Sequence, residues 1–261
     1  FVKKIFFADN IGSYIDPLFS NPDLVDNNDF FKAYLLFPLQ IYFDFSGYVD
    51  MALGISKVLS IDLPINFNKP YHSRSITEFW RNWHITLSKW FRDYLYIPLG
   101  GSREGTKKMY FNLIITMSIA GLWHGASLNF ILWGFLNGLI LFIEKKIKFF
   151  FNLNNFIKII LTCFVVFNLW VVFRIHDFEL MYLFFTNLLF NIHTIFYFEN
   201  ISLLALVIFA IYTQKFDNYK SIESISKKTK LVFLLPITLI VLLTGFAIST
   251  GTSEKFIYFD F

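Results

Sequence analysis

Residues 109–143 read MYFNLIITMSIAGLWHGASLNFILWGFLNGLILFI, a run of 35 positions without Asp, Glu, Lys or Arg. As one α-helix this run would extend about 52 Å, whereas the hydrocarbon core of a bilayer is about 30 Å thick. Lysines flank both ends of the run, at 107–108 and at 145–146. Because both ends carry the same charge, the sequence predicts a helical hairpin whose ends lie on one side of a membrane.

The composition of the 261-residue chain is that of a membrane protein. Hydrophobic residues make up 56% of it, charged residues only 16%, and the mean hydropathy is +0.53. A soluble domain is typically about 25% charged. The aromatic content of 21% argues against disorder. The single Cys163 excludes an intramolecular disulfide and a cysteine-based zinc site, and we expect no bound metal.

Three further stretches are long enough to cross a bilayer. Residues 231–250 carry no charge, residues 156–173 carry only Lys158, and residues 33–55 contain two aspartates. The region 180–213 has one glutamate near its middle. It fits either one long tilted span or a surface helix followed by a span, and we favour the second interpretation.

The charges predict an orientation. Residues 66–108 carry eight basic and three acidic side chains, whereas residues 20–29 carry three acids and no base. Lysine and arginine accumulate in cytoplasmic loops, so 66–108 and the basic clusters 145–148 and 227–230 are predicted to be cytoplasmic. The net charge of +4 therefore reflects the orientation of the loops and does not indicate nucleic-acid binding. The predicted fold is all-α, a polytopic transmembrane helical bundle with re-entrant and interfacial helices.

One ionisable residue lies near the centre of the predicted hairpin. His124 stands in the segment Gly121-Leu-Trp-His-Gly125, whose glycines permit a helix break or a close backbone approach. An ionisable group at this depth is costly without a partner, which makes it a candidate functional residue. The alternative is a neutral imidazole that only ties two helices together.

A second group of chemical side chains lies in residues 75–93. Ser75 with Glu78 three positions later resembles a capping box, which predicts that one helix begins there. An interfacial amphipathic helix without chemistry shows the same mixture of tryptophan and basic residues. On a continuous helix one face would carry Trp80, His84, Leu87 and Phe91, and another Arg81, Ser88 and Arg92.

Two aspartates interrupt the apolar stretch 33–55. Asp44 and Asp50 are six positions apart, which on a helix separates them by about 120° and argues against a carboxylate pair. Either Gly47 kinks the helix so that Asp44 meets a polar cavity, or Asp44 pairs with an arginine of the cytoplasmic segment. A structural role is the favoured interpretation for both aspartates.

Several motifs, in order along the chain, resemble the membrane-bound O-acyltransferase family. The resemblance is densest over residues 36–140 and extends to Lys3-Lys4, Ala8-Asp9-Asn10, Phe173-Arg174 and residues 256–261. Residues 96–101, YIPLGG, resemble the branch that acetylates alginate and peptidoglycan. The main motifs are QIYFDFSGYVDMALG (40–54), NFNKPY (66–71), SRSITEFWRNWHITLS (73–88), WFRDYLYIPLGG (90–101) and GLWHG (121–125).

The resemblance implies roles for particular residues. His124 matches the family's essential histidine, and His84 matches a position where relatives carry Asn, Asp or His. The imidazole of His124 would act as a general base or carry the acyl group. His84, or a main-chain amide near Gly125, would donate to the oxyanion or hold the thioester. The candidate residues of a substrate channel are Trp80, Trp83, Trp123, Asp44 and Arg81.

The resemblance also implies a function for the whole protein. It predicts an O-acetyltransferase of the bacterial inner membrane, with several spans and no permanently bound cofactor. The donor would be a cytoplasmic thioester such as acetyl-CoA, and the acetyl group would pass, through an extracytoplasmic acetyltransferase partner, to a polysaccharide such as alginate or peptidoglycan. Residues 1–261 would form a single integral-membrane domain at the C-terminal end of a longer chain, without the family's early helices. The alternatives are a polysaccharide exporter, a non-catalytic membrane scaffold, and D-alanyl or long-chain acyl transfer.

Overall fold

The computed structural model describes residues 1–20, 27–146, 153–217, 224, 228–229 and 231–248. Within these residues the regular structure is helical and contains no β-strand, which confirms the predicted all-α class. A π-helical segment, Lys3–Ala8, precedes the first α-helix. The helices are α1 (Asp9–Ser20), α2 (Asn27–Val58), α3 (Ile76–Asn82), α4 (Ile85–Phe91), α5 (Thr106–His124), α6 (Leu128–Lys146), α7 (Asn155–Arg174), α8 (Phe178–Phe190), α9 (Phe198–Thr213) and α10 (Leu231–Ile248).

Some sequence predictions fall on residues outside this description. They are most of the acidic loop 20–29, the basic positions Lys148, Lys227 and Lys230, and the terminal motif 256–261.

Helices α5 and α6 form the predicted hairpin. Only three residues, 125–127, separate them, and Lys145 at the end of α6 lies 3.6 Å from the sulfur of Met109 near the start of α5. Glycines at 121, 134 and 138 line the seam, where a Cβ atom would meet the backbone of the opposite helix. The two backbones therefore pack directly against each other, and His124 ends α5 at the tip of the hairpin.

Helix α2 forms the centre of the bundle. It contacts the segment Lys3–Ala8 and helices α1, α7, α8 and α9. Its side chains Phe37, Ile41 and Tyr42 are buried. Helix α2 begins six residues before and ends three residues after the predicted 33–55, and in its N-terminal extension Phe30 packs against Phe184 of α8.

The partner of Asp44 is not the predicted arginine. The ammonium group of Lys4 lies 2.7 Å from a carboxylate oxygen of Asp44 and 2.7 Å from one of Asp9. Helix α2 continues through Gly47, where a Cβ atom would lie only 3.1 Å from that of Lys3. The glycine therefore allows the N-terminal segment to approach α2, and a lysine of that segment neutralises Asp44.

Two helices of the described residues, α6 and α7, are long and apolar enough to cross a membrane by length and composition. Helices α8 and α9 and residues 232–245 of α10 are apolar but shorter. A 3₁₀-helix at 192–196 separates α8 from α9, so the region 180–213 is not a single helix. This break excludes one long tilted span, and the surface helix and the span of the favoured interpretation stay a prediction.

Candidate active site

The candidate site begins at the segment 75–93, which is not the single helix that the sequence predicts. The hydroxyl of Ser75 accepts a hydrogen bond from the amide of Glu78 at 3.0 Å, so the predicted cap is confirmed. The helix then ends at Asn82, and a new one begins at Ile85. Between them His84 adopts a left-handed backbone conformation with φ 41° and ψ 57°.

The break in this helix is held by residues 66–68. The amide of Asn68 donates to the carbonyl of Asn82 at 3.0 Å, and the amide of Ile85 donates to the carbonyl of Asn66 at 3.1 Å. The side-chain oxygen of Asn66 also accepts from the amide of Thr86, at 3.1 Å. Left-handed backbone is uncommon for a residue other than glycine and persists only where the surroundings hold it. The segment NFNKPY thus fixes the bend at whose corner His84 lies.

The segment 76–84 contacts the hairpin at three points between its lysine end and its tip. Near the lysine end, the carboxylate of Glu144 accepts from the amide of Ile76 at 2.6 Å. Further along, the indole N–H of Trp80 donates to Asn137 at 3.1 Å. At the tip, the imidazole of His84 lies 6.3 Å from the ring of Trp123, centre to centre. These contacts bring residues that are 40 positions apart in sequence to the same end of the hairpin.

A cavity of about 500 Å³ separates the α3–α4 bend from the hairpin. Both His84 and His124 line it. Leu113, Thr116, Met117, Ala120 and His124 recur at the three- and four-residue spacing of one face of α5. The other lining residues are Thr77, Trp80, Arg81, Trp83, Ile85, Leu87, Ser88, Lys89, Phe91, Arg92, Tyr96, Trp133, Leu141, Lys145 and Trp170.

Aromatic rings surround His124 at its end of the cavity. The ring centre of His124 lies 5.0 Å from that of Phe173 and 5.4 Å from that of Trp133, both edge to face. Next to these rings, the amide nitrogen of Asn129 donates to the carbonyl of Phe173 at 3.1 Å, which fastens the start of α6 to the end of α7. The orientation of the imidazole is therefore set by three helices.

The charged side chains that line the cavity are all basic. Arg81, Lys89, Arg92 and Lys145 line it, and no acidic residue is among its lining residues. Lys145 lies at the lysine end of the hairpin, about 25 Å along α6 from the tip at which His124 lies. The cavity therefore joins a cationic region to a histidine surrounded by aromatic rings.

The structure brings five of the seven predicted site residues to this cavity. His124, His84, Trp80, Trp83 and Arg81 line it. The ring of Trp123 lies 5.1 Å from that of His124 but is 55% exposed and outside the lining. Asp44, also outside the lining, pairs with Lys4.

Sequence reasoning missed several lining residues, among them Thr116, Trp133, Lys145 and Trp170. The helical period would have placed Thr116 and His124 on one face of α5, because Met117 and Ala120 link them at three- and four-residue spacing. No local sequence pattern predicts that Trp170 lines the cavity, because α7 contacts the hairpin only in the folded chain. No group of three or more potential metal ligands occurs among the described residues.

The cavity lies in a part of the chain that is similar to known proteins. The sequence profile of the membrane-bound O-acyltransferase family matches residues 30–185, which is more than half of the chain. The chain belongs to this family. The matched region of this family member includes His84, His124 and every other residue of the cavity lining.

Individual relatives in the family come from several bacteria. The chain is 46% identical to the probable alginate O-acetylase of Pseudomonas putida over 178 residues, which cover 67% of this chain and 36% of that protein. It is 41% identical to the peptidoglycan O-acetyltransferase of Helicobacter pylori, over 68% of this chain and 34% of that protein. A teichoic acid D-alanyltransferase of Streptococcus thermophilus is 36% identical over 42% of this chain and 28% of that protein. This member of the family thus spans about a third of the length of the curated relatives it matches.

Proposed function

We propose that this chain is the donor-binding and catalytic part of an O-acetyltransferase of the bacterial inner membrane that transfers acetyl from a thioester to a cell-surface polysaccharide. The observation that carries the proposal is the cavity that His84 and His124 share, with cationic side chains along its length. The names of the alginate and peptidoglycan relatives support the polysaccharide acceptor.

The volume of the cavity suits one part of a phosphorylated donor, and its charge suits the phosphates. About 500 Å³ lies within the range of pockets that enclose a molecule of drug size. Arg81, Lys89, Arg92 and Lys145 suit the phosphates of acetyl-CoA, because arginine and lysine bind phosphate through charge-assisted hydrogen bonds. The thioester end would then extend along the apolar face of α5 to His124. The lysine end of the hairpin would face the cytoplasm, where this donor is found.

The reaction that we propose is addition of a hydroxyl to the thioester carbonyl. His124 takes the hydroxyl proton as the oxygen bonds to the carbonyl carbon, a role worth about 10² to 10⁴ in rate. The carbon–sulfur bond then breaks, and the thiolate recovers that proton from His124 to leave as the thiol. His84, fixed at the helix break, holds the thioester against this imidazole.

The hydroxyl belongs to an acceptor outside the cytoplasm. We propose that an extracytoplasmic acetyltransferase protein receives the acetyl group at the hairpin tip and delivers it to the polysaccharide. A passage between several membrane-spanning helices would lead to this tip. The thioester donor would enter it from one side of the membrane, and the acceptor would stay on the other side. Helices α6 and α7 are the spans of the described residues that support this arrangement by length and composition.

The test uses membranes that contain the complete protein, supplied with acetyl-CoA labelled in the acetyl group. The unsubstituted protein should produce base-labile labelled acetate on cell-surface polysaccharide. His124→Ala should lower the rate at least 100-fold at unchanged protein abundance. His193→Ala is the matched control, because His193 is exposed and outside the cavity lining.

Two results would refute the proposal. One is normal acetyl transfer by His124→Ala. The other is loss of the polymer itself from the cell surface, rather than of its acetate, which would favour the exporter.

A further inference from the structure

Trp170 carries a buried hydrogen-bond donor that the proposed reaction has not yet used. Its side chain lies on α7 and is only 2% exposed. Its indole nitrogen has no hydrogen-bond acceptor among the described residues. A buried donor without an acceptor lowers stability, so native proteins rarely contain one without a reason.

The indole N–H of another tryptophan of the cavity lining, Trp80, does have an acceptor. Trp80 also lines the cavity, and its indole N–H donates to Asn137 at 3.1 Å. The amide nitrogen of Asn137 in turn donates to the carbonyl of Trp133 at 2.8 Å, so this chain of hydrogen bonds is complete. The N–H of Trp170 has no corresponding partner in the part of the chain that is described.

The position of Trp170 brings it near the reacting end of the cavity. Trp170 lines the cavity, and its ring centre lies 6.0 Å from that of Trp133 and 5.5 Å from that of Phe173. These are the two rings that lie 5.4 and 5.0 Å from His124. The indole and the imidazole therefore flank the same pair of aromatic rings.

We propose that the indole N–H of Trp170 donates a hydrogen bond to the carbonyl oxygen of the acyl thioester and stabilises the oxyanion that forms there. This inference rests on the proposed acyl transfer. As the hydroxyl oxygen bonds to the carbonyl carbon, the π electrons of the carbonyl move to the carbonyl oxygen. The indole N–H then donates its hydrogen bond to this negatively charged oxygen. The electrons return when the carbon–sulfur bond breaks, and the thiol leaves with the proton that His124 carried.

Catalysis requires that the donor act on the transition state more strongly than on the bound thioester. Removal of one oxyanion donor typically lowers kcat by about 10²–10³. The binding of the donor should change little, because the thioester carbonyl is a weaker acceptor than the oxyanion. A merely structural tryptophan would instead lower the amount of folded protein and leave kcat per folded molecule unchanged.

The experiment removes the indole N–H and keeps an aromatic side chain at position 170. Trp170→Phe in the complete protein should lower kcat at least 100-fold, with less than a threefold change in the KM for acetyl-CoA. Trp90→Phe is the matched control, since Trp90 is exposed and outside the cavity lining. Thermal unfolding of each purified variant reports its folded fraction, to which kcat is normalised.

A second variant covers the case in which the smaller phenylalanine ring disturbs folding. Benzothienylalanine, inserted at position 170 by nonsense suppression, has the shape of tryptophan with sulfur in place of the N–H. It should show the same loss of kcat. Normal kcat for the benzothienylalanine protein overturns the role of Trp170, while the loss of activity in His124→Ala would still support the proposed function. An unsubstituted protein that transfers no acetyl from acetyl-CoA refutes the proposed function itself.

Discussion

The close packing of the hairpin makes Gly138→Ala a sensitive test of the fold. A Cβ atom at Gly138 would lie 2.6 Å from the Cα of Ile114 on α5, whereas ordinary contacts of Cβ atoms are 3.4–4 Å. The obstacle is backbone, so α5 and α6 must separate by about 1 Å. Overpacking of this kind costs about 1–3 kcal/mol, against a gain in helix propensity of about 1 kcal/mol. We expect a lower unfolding temperature, and about 100-fold slower acetyl transfer, because a misplacement of 1 Å costs about that factor.

Gly54→Ala is the matched control for this prediction. Gly54 lies in α2, and nothing lies within 4 Å of the position that its Cβ would take. The same substitution there should raise stability by about 0.5–1 kcal/mol. Thermal unfolding of the purified protein in detergent and acetyl transfer in membranes would be measured on both variants. If Gly138→Ala is as stable and as active as Gly54→Ala, the direct backbone packing that we describe is wrong.

Two further predictions concern the donor. Thr116 is 95% buried in the cavity lining, and its hydroxyl has no hydrogen-bond partner among the described residues. Thr116→Val should therefore not lower the unfolding temperature. It should raise the KM for acetyl-CoA about two- to tenfold, the loss of one hydrogen bond. An unchanged KM would show that the donor does not reach this hydroxyl. Arg81→Gln should lower kcat/KM about three- to tenfold at low ionic strength and much less in 0.5 M salt, because salt screens an exposed charge. Arg103→Gln, exposed and outside the cavity, should show no such loss; an equal effect in both variants would contradict specific binding of the phosphates.

The sequence predicted the parts of the fold that depend on local patterns. The uncharged run 109–143 predicted a hairpin, and residues 125–127 separate its two helices where the pair of glycines indicated a break. The span at 156–173 agrees with α7 to within one residue at each end, because uncharged residues extend along the whole helix. The Ser75 cap was predictable since both of its partners lie within one helical turn.

Two features of the segment 33–93 were not predictable from local pattern. The bend at His84 is held by hydrogen bonds that Asn68 donates and Asn66 accepts. These two residues lie 14 or more positions away from the bend, and no helical period links them to it. For Asp44 the sequence left two alternatives open, a polar cavity at a kink or a pair with an arginine of the cytoplasmic segment. The structure instead supplies Lys4, since the N-terminal segment packs against α2 at Gly47.

The sequence by itself determined that the chain is helical, that it is apolar enough for a membrane, and that His84 and His124 are the candidate histidines. These properties follow from composition, from the charges at the ends of apolar runs, and from short motifs. Only the tertiary structure decided that the segment 76–84 contacts the hairpin, so that the two histidines face one cavity, and that Trp170 of α7 completes its wall. The physical reason is that these relations depend on contacts between helices, which are distant in sequence and form only when the bundle packs.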